Sequence, residues 1–401
     1  MSKQPTEVTG NPWLIRDLNR RLIVNALKEN SPISRADLAK VTRLSLPTVT
    51  RIIEDLCAER LVTALGKGSS SGGRPPLMLE FNAGISYVSG VHIGEHKIRV
   101  ALSDMDGNIV DSTERPHTSN RDYKNVVKQV LSEIAALMER SGRSRSSLVA
   151  IGLAIPGMVD SDNGLVLKAV NMPGWVNAPI RELMQDEWRV PVFLDKEPNM
   201  AALGEHWRGA GEGKNNMVYL DFGTGIGAGI IINGKLYHGS HYGAGEIGYM
   251  GMGQRRFKLM NLDRGHFEVL ASIDTIKKRI AAIIQREMGK NVDDIELITA
   301  IAKINKEPNG TAAHVLRKTG KIMGNAIANI CSVLDPDIVI IGGDTIALAG
   351  ALLLNEINRV VRTLLPASPK VITSSLGEKA PILGAIRVVL EHANYVLATN
   401  K

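Results

Sequence analysis

The chain has 401 residues, more than one domain of ordinary size, and its 44% hydrophobic and 22% charged residues are the make-up of a water-soluble globular protein. No apolar signal core opens it and no run of about 18 uncharged apolar residues occurs, so secretion and membrane insertion are not indicated and a cytoplasmic protein is expected. Two cysteines, Cys57 and Cys331, are too few for a disulfide framework or a thiolate metal cage. The net charge is +7, and residues 1–80 hold twelve Lys and Arg against eight Asp and Glu, so over half the excess lies in the first fifth of the chain. Such a surplus suits nucleic acid, and a solvated face would produce it equally well.

From Leu14 to Asn30 the residues Leu14, Ile15, Leu18, Leu22, Ile23, Ala26 and Leu27 recur at helical spacing, which predicts an amphipathic helix. Ser34 offers an N-cap for a second helix over Arg35 to Val41, and Ser45 caps a third, with Pro47 in its first turn. In that third helix Leu46, Val49, Ile52, Ile53 and Leu56 form the expected inward stripe. Ser45, Pro47, Thr48, Thr50 and Arg51 lie outward, with small hydrogen-bonding groups and a guanidinium suited to base edges and phosphates. Two helices joined by a short turn, with Leu61 to Leu65 as a wing strand, predict a winged helix-turn-helix over residues 1–66; the other reading is a small helical cap.

Residues 67–82, with Gly72-Gly73-Arg74-Pro75-Pro76 at their centre, read as a linker. Gly-Arg-Pro is also similar to the core of AT-hook peptides, in which Arg74 would enter a narrow A·T-rich minor groove. Both readings stand. Next come strands at Tyr87 to His92, Ile98 to Ser103 and Ile109 to Thr113, a helix from Asp122 to Arg140 and a buried strand from Leu148 to Ile155. Beyond that strand, Asn171 and Trp175 are a candidate sugar-contacting pair. Strand and helix alternate again from Asp337 to Leu397, so the whole reads as an α/β fold with two lobes and a cleft between them.

The densest stretch is Asp221 to Met250. Gly223, Gly225, Gly227 and Gly229 bring backbone close to a ligand, Asn233-Gly234 signals a hairpin, and Gly243-Ala-Gly-Glu246-Ile-Gly248-Tyr249 ends on an isolated carboxylate. Taken alone, the glycines fit a β-meander without ligand equally well. With Pro191 to Glu205 upstream and Ile340 to Asp344 downstream, however, the stretch resembles the ROK family of sugar kinases and sugar-responsive repressors over about 83–401. That resemblance implies a two-lobed actin-like ATPase (ribonuclease H-like) fold after the winged helix, lobe one being about 83–196 plus the C-terminal helix 381–401 and lobe two about 197–380. It also implies sugar ligands at Asn171, Glu197, Glu246 and Glu268, with Tyr249 where the family has a histidine.

The chain departs from the kinases of the family. Their phosphate hairpin, Asp-x-Gly-Gly-Thr, is His92-Ile-Gly94-Glu95-His96 here, and a carboxylate about 4 Å from a phosphate oxygen repels it by roughly 4 kcal/mol at an effective dielectric near 20. Glu197 stands where their general-base aspartate does, one methylene longer. Their zinc loop lacks cysteine here and reads Gln254-Arg-Arg-Phe-Lys258, so neither metal nor cofactor is expected. The expectation is a sugar-responsive repressor of carbohydrate-utilisation genes, not an enzyme. It would bind an A·T-rich inverted-repeat operator as a homodimer or homotetramer and take a sugar or sugar phosphate as effector. The alternative is an ATP-dependent sugar kinase carrying a DNA-binding domain.

Overall fold

The structure is a computed structural model that describes residues 12–67, 75–116, 122–253, 264–289, 291–302 and 310–398. Helices Pro12–Asn30, Arg35–Thr42 and Leu46–Ala58 open the chain. Ser34 caps the second, its side chain accepting from Asp37 N, and Ser45 caps the third in the same way through Thr48 N. Such caps satisfy amide groups that a first helical turn leaves unpaired, which is why both helix starts could be read from sequence.

The wing extends further than expected. Val62–Lys67 pairs antiparallel with Leu77–Phe81, which in turn pairs with Ile33–Ser34. Residues 77–81, placed in the linker by sequence, thus form a second wing strand that buries Leu79 and Phe81.

The first helix buries only the later part of its apolar stripe. Ile23, Val24, Ala26 and Leu27 are buried, but Ile15, Leu18 and Leu22 are each 49% exposed, while Arg20 is buried against Glu59 and Arg16 meets Asp55 at 3.0 Å. Its first half therefore faces the acidic end of the third helix and leaves its aliphatic stripe outside. Leu46 of the third helix, expected inside, is also exposed.

Two five-stranded sheets follow, with the same topology. In the first, Tyr87–Ile93 pairs antiparallel with Lys97–Asp104, which pairs with Ile109–Pro116; Leu148–Ile155 and then Val192–Lys196 add in parallel on the other side. In the second, Met217–Phe222, Ile226–Ile232 and Lys235–Leu236 form the antiparallel part, and Ile338–Gly342 and Lys370–Thr373 add in parallel. Both are packed by helices, which explains the uninterrupted apolar runs of the parallel strands. A small three-stranded sheet, Met158–Asp160, Leu165–Lys168 and Val176–Ala178, follows the first parallel strand.

Helix Glu197–Arg208 packs on the second sheet and helix Ala380–Ala398 on the first, and the two helices cross backbone to backbone. A Cβ at Gly204 would overlap the Ala380 carbonyl and one at Gly384 the Met200 carbonyl, so only glycine fits the crossing. The 380–398 helix also supplies Ile382, Leu383, Ile386, Val389 and Leu390 to a core shared with Ile23, Leu27 and Leu38 of the winged helix. The winged helix is thereby seated on the first sheet. Lys28 reinforces the seat, donating to the Met105 carbonyl at 2.6 Å and lying 4.5 Å above the Phe81 ring. Burial lowers its pKa to about 8, against the opposing pull of Asp106 and Asp104. Arg208 donates to the Gly107 and Asp106 carbonyls of the same turn, at 2.6 and 2.7 Å.

Candidate functional site

The DNA-facing candidates gather at one end of the third helix. Ser45, Pro47 and Arg51 are exposed there, and Thr48 and Thr50 are half-buried. The Ser45 hydroxyl already accepts from Thr48 N and shares a 2.8 Å hydrogen bond with Thr48 Oγ1, so it serves the helix start first. Two residues join this surface that sequence reasoning did not single out. Arg43 is exposed in the left-handed region (φ 56°) at the turn between the helices, and Leu46 presents its apolar side chain beside Pro47. Arg74 lies outside the described residues.

Between the two sheets is a cleft of about 460 Å³. Asn171, Glu197, Glu246, Tyr249 and Glu268, drawn from four separate segments, all line it. Asn171 follows the small sheet strand Leu165–Lys168. Its amide nitrogen lies 3.3 Å from Thr224 Oγ1 on one lobe and 3.5 Å from Glu95 Oε2 on the other. Glu197 starts the 197–208 helix, and its Oε1 lies 2.8 Å from His92 Nε2. The other ring nitrogen, Nδ1, faces an Arg99 N–H at 3.3 Å; arginine only donates, so Nδ1 is the acceptor there. Burial alone would raise the Glu197 pKa, but His92 and Arg99 outweigh it and hold the carboxyl below its usual range.

Glu246 does not stand alone as the sequence implied. Lys196, only 3% exposed, donates to Glu246 Oε1 at 2.8 Å and to the Ala244 carbonyl at 2.5 Å. Its neighbour Asp195 holds Asn199 at 2.8 Å and His238 at 2.6 Å, and the hydrogen bond to Asp195 raises the His238 pKa. Three groups thus tie the 237–246 loop to the end of one strand. Glu268 accepts from Ile226 N at 3.3 Å, and burial raises its pKa. Tyr249 sits on the rim, half exposed.

Trp175, the expected partner of Asn171, does not reach the cleft. It is fully buried in the first-lobe core, edge-on to Tyr123 with 6.3 Å between ring centroids, because an indole of that size is worth most inside. The cleft is also lined by His92, Glu95, His96, Asp221, Asp344 and Glu378. Asp221 is pushed well above the ordinary carboxyl pKa by burial and then by the charges of Glu197 and Asp344; Asp344 is raised by burial, then Glu378 and Glu197. Among the described residues no three His, Cys, Asp or Glu are arranged to hold a metal ion, and Gln254 to Lys258 lie outside them.

Residues 88–392 match the ROK family and residues 16–63 match winged helix-turn-helix DNA-binding domains. A xylose repressor of Bacillus spizizenii is 30% identical over 94% of this chain and 96% of its own length. A glucokinase of Halalkalibacterium halodurans is also 30% identical, but over 76% of this chain and 95% of its own. A solved ROK family transcriptional regulator, a homolog of the Escherichia coli MLC protein, superimposes with a TM-score of 0.79 at 24% identity, over 96% of this chain and 99% of its own. Identity alone does not separate repressor from kinase here; coverage does, since the kinase alignment leaves out about the share of the chain that the winged helix occupies. The chain belongs to the ROK family, in the branch that carries an N-terminal winged helix-turn-helix.

Proposed function

We propose that this protein is a DNA-binding repressor of carbohydrate-utilisation genes whose hold on its operator is set by a sugar or sugar phosphate in the cleft. The observation that carries this reading is the shared core: a winged helix is packed into the lobe that forms one wall of a polar, carboxylate-lined cleft. Repressor relatives align along nearly the whole chain. Ser45, Pro47, Thr48, Thr50 and Arg51 would meet the operator, Arg74 its A·T-rich flank, and two copies would span an inverted repeat. Asn171, Glu197, Glu246, Tyr249 and Glu268 would hold the effector. Buried acceptors left unmatched by a hydroxyl are penalised by about 1–3 kcal/mol each, which is how such a set selects among polyols. A ligand favouring one lobe arrangement shifts operator affinity only by its preference for that arrangement.

The protein would not be an enzyme, because Glu95 and His96 replace the phosphate hairpin and Glu197 is held by His92. The deciding experiment selects bound genomic fragments with the purified full chain and repeats the binding with D-xylose, D-glucose and their phosphates. Sequence-selective binding released by one of them is expected, with no sugar-dependent ATP consumption. Turnover of ATP with any of these sugars would favour the kinase alternative instead.

A further inference from the structure

Resting on the reading of the cleft as a sugar sensor, we infer that its effector is an uncharged sugar, and that Glu95 is the residue that turns phosphorylated sugars and nucleotides away. Seven carboxyl groups line the cleft, Asp221 among them with its charge disfavoured by burial, against three permanent cations, Lys97, Arg99 and Lys196. Each cation already has carboxylate partners. Lys196 faces Glu246 at 2.8 Å, Lys97 faces Glu114 at 2.7 Å, and Arg99 is shared between Glu114 at 2.7 Å and Glu378 at 2.5 Å. A phosphate dianion entering here would have to displace one of these partners.

Two backbone donors beside the cleft are also engaged. In the glycine turn of the second lobe, Gly223 N–H goes to the Gly225 carbonyl at 3.0 Å and Ile226 N–H to the Glu268 carboxylate, so the chain supplies its own anion where a phosphate would seek amides. Across the cleft, Glu95 occupies the tip of the matching turn. A neutral polyol suits this lining, because its hydroxyls can donate to the carboxylates and accept from the Asn171 amide. The contact between Asn171 and Glu95 places that carboxylate within reach of a ligand held by Asn171, not merely at the nucleotide end. It therefore acts on sugar esters as well as on ATP.

The test is thermal-shift and calorimetric titration of the full chain and its Glu95→Gln variant with D-xylose, D-glucose and N-acetyl-D-glucosamine, each beside its terminal phosphate ester, and with ATP and magnesium. The wild type should bind at least one free sugar and discriminate at least tenfold against its ester; Glu95→Gln should recover tenfold or more in ester affinity. Glu378→Gln, at an exposed side chain of the same cleft, is the second variant and should recover less. Tighter binding of an ester than of its parent sugar by the wild type would overturn the inference and leave the sensor reading standing. An unchanged ester affinity in Glu95→Gln would remove Glu95 from the role. Silence toward every sugar and ester would sink the sensor reading itself, and this inference with it.

Discussion

The two lobes share a topology, and the hairpin turns at equivalent places in them can be compared directly. Each joins the first two strands of its sheet and both face the cleft, where Asn171 lies against Glu95 in one and Thr224 in the other. The second-lobe turn, Gly223-Thr224-Gly225, kept its small residues and is braced by Glu268. The first-lobe turn, Gly94-Glu95-His96, carries a carboxylate and an imidazole. What differs is the side chains at the tip, not the strand pairing that holds it. On the proposed reading, a few side chains at a hairpin tip would be enough to turn phosphate away from a scaffold that still takes a polyol.

The largest expected effect comes from the sugar end. Glu246→Ala leaves the buried Lys196 ammonium without its carboxylate, and breaking such a pair destabilises by about 3–5 kcal/mol. Urea unfolding should show this, and should show most of it recovered in the Lys196→Met, Glu246→Met double variant. A loss under 1 kcal/mol would mean the pair is open to water. The comparison of turns can then be broken outright. Glu95→Gly with His96→Thr makes the first turn resemble the second, and should raise ATP affinity on the order of a hundredfold by removing a like charge. Phosphoryl transfer should still be absent, since Glu197 remains held by His92; isothermal titration and a coupled ATPase assay read the two outcomes separately.

A smaller effect, remote from both turns, calibrates the others. Arg51→Ala should weaken operator binding by about 1–3 kcal/mol in fluorescence anisotropy while leaving sugar-induced melting shifts unchanged. If those shifts vanish too, the substitution has disturbed more than the DNA face. The smallest effect concerns Lys28. Its pKa is about 8 in the folded chain and 10.5 in the reference state, so between those values the unfolded chain binds the extra proton and stability should rise with pH. Melting temperatures from pH 7.5 to 10 in wild type and Lys28→Met should differ in slope with that sign. Parallel curves would place Lys28 in water.

Much of this was legible because the responsible physics is local. Ser34, Ser45 and Pro47 mark helix starts through caps that need no tertiary partner, and Asn171, Glu197, Glu246, Tyr249 and Glu268 could be gathered from family resemblance, all five lining one cleft. Other features were decided by distant neighbours. Leu77–Phe81 follows a Gly, Ser and Pro stretch and becomes a strand only because Val62–Lys67 pairs with it. The first helix shows one apolar stripe, and packing that includes the Arg20–Glu59 pair, 39 residues apart, decides how much of it is buried. Lys196 sits between Asp195 and Glu197 and looks like a surface lysine; its burial depends on a loop some fifty residues later. Trp175 was misplaced for a related reason, as proximity in sequence to Asn171 said nothing about whether its ring would turn to the cleft or to the core.

The 380–398 helix closes both the first sheet and the seat of the winged helix, yet it is made after every other described element. During synthesis at about 5–20 residues per second, the strand at Tyr87–Ile93 would wait roughly a quarter of a minute to a minute for Ile382 and Ile386 to emerge and cover it. Until then the nascent chain holds an uncovered apolar sheet face beside a DNA-binding unit with nothing to rest on. A chain cut short of that helix would be left prone to aggregation, so the joint between the winged helix and the first sheet is completed only once residues 380–398 have been made.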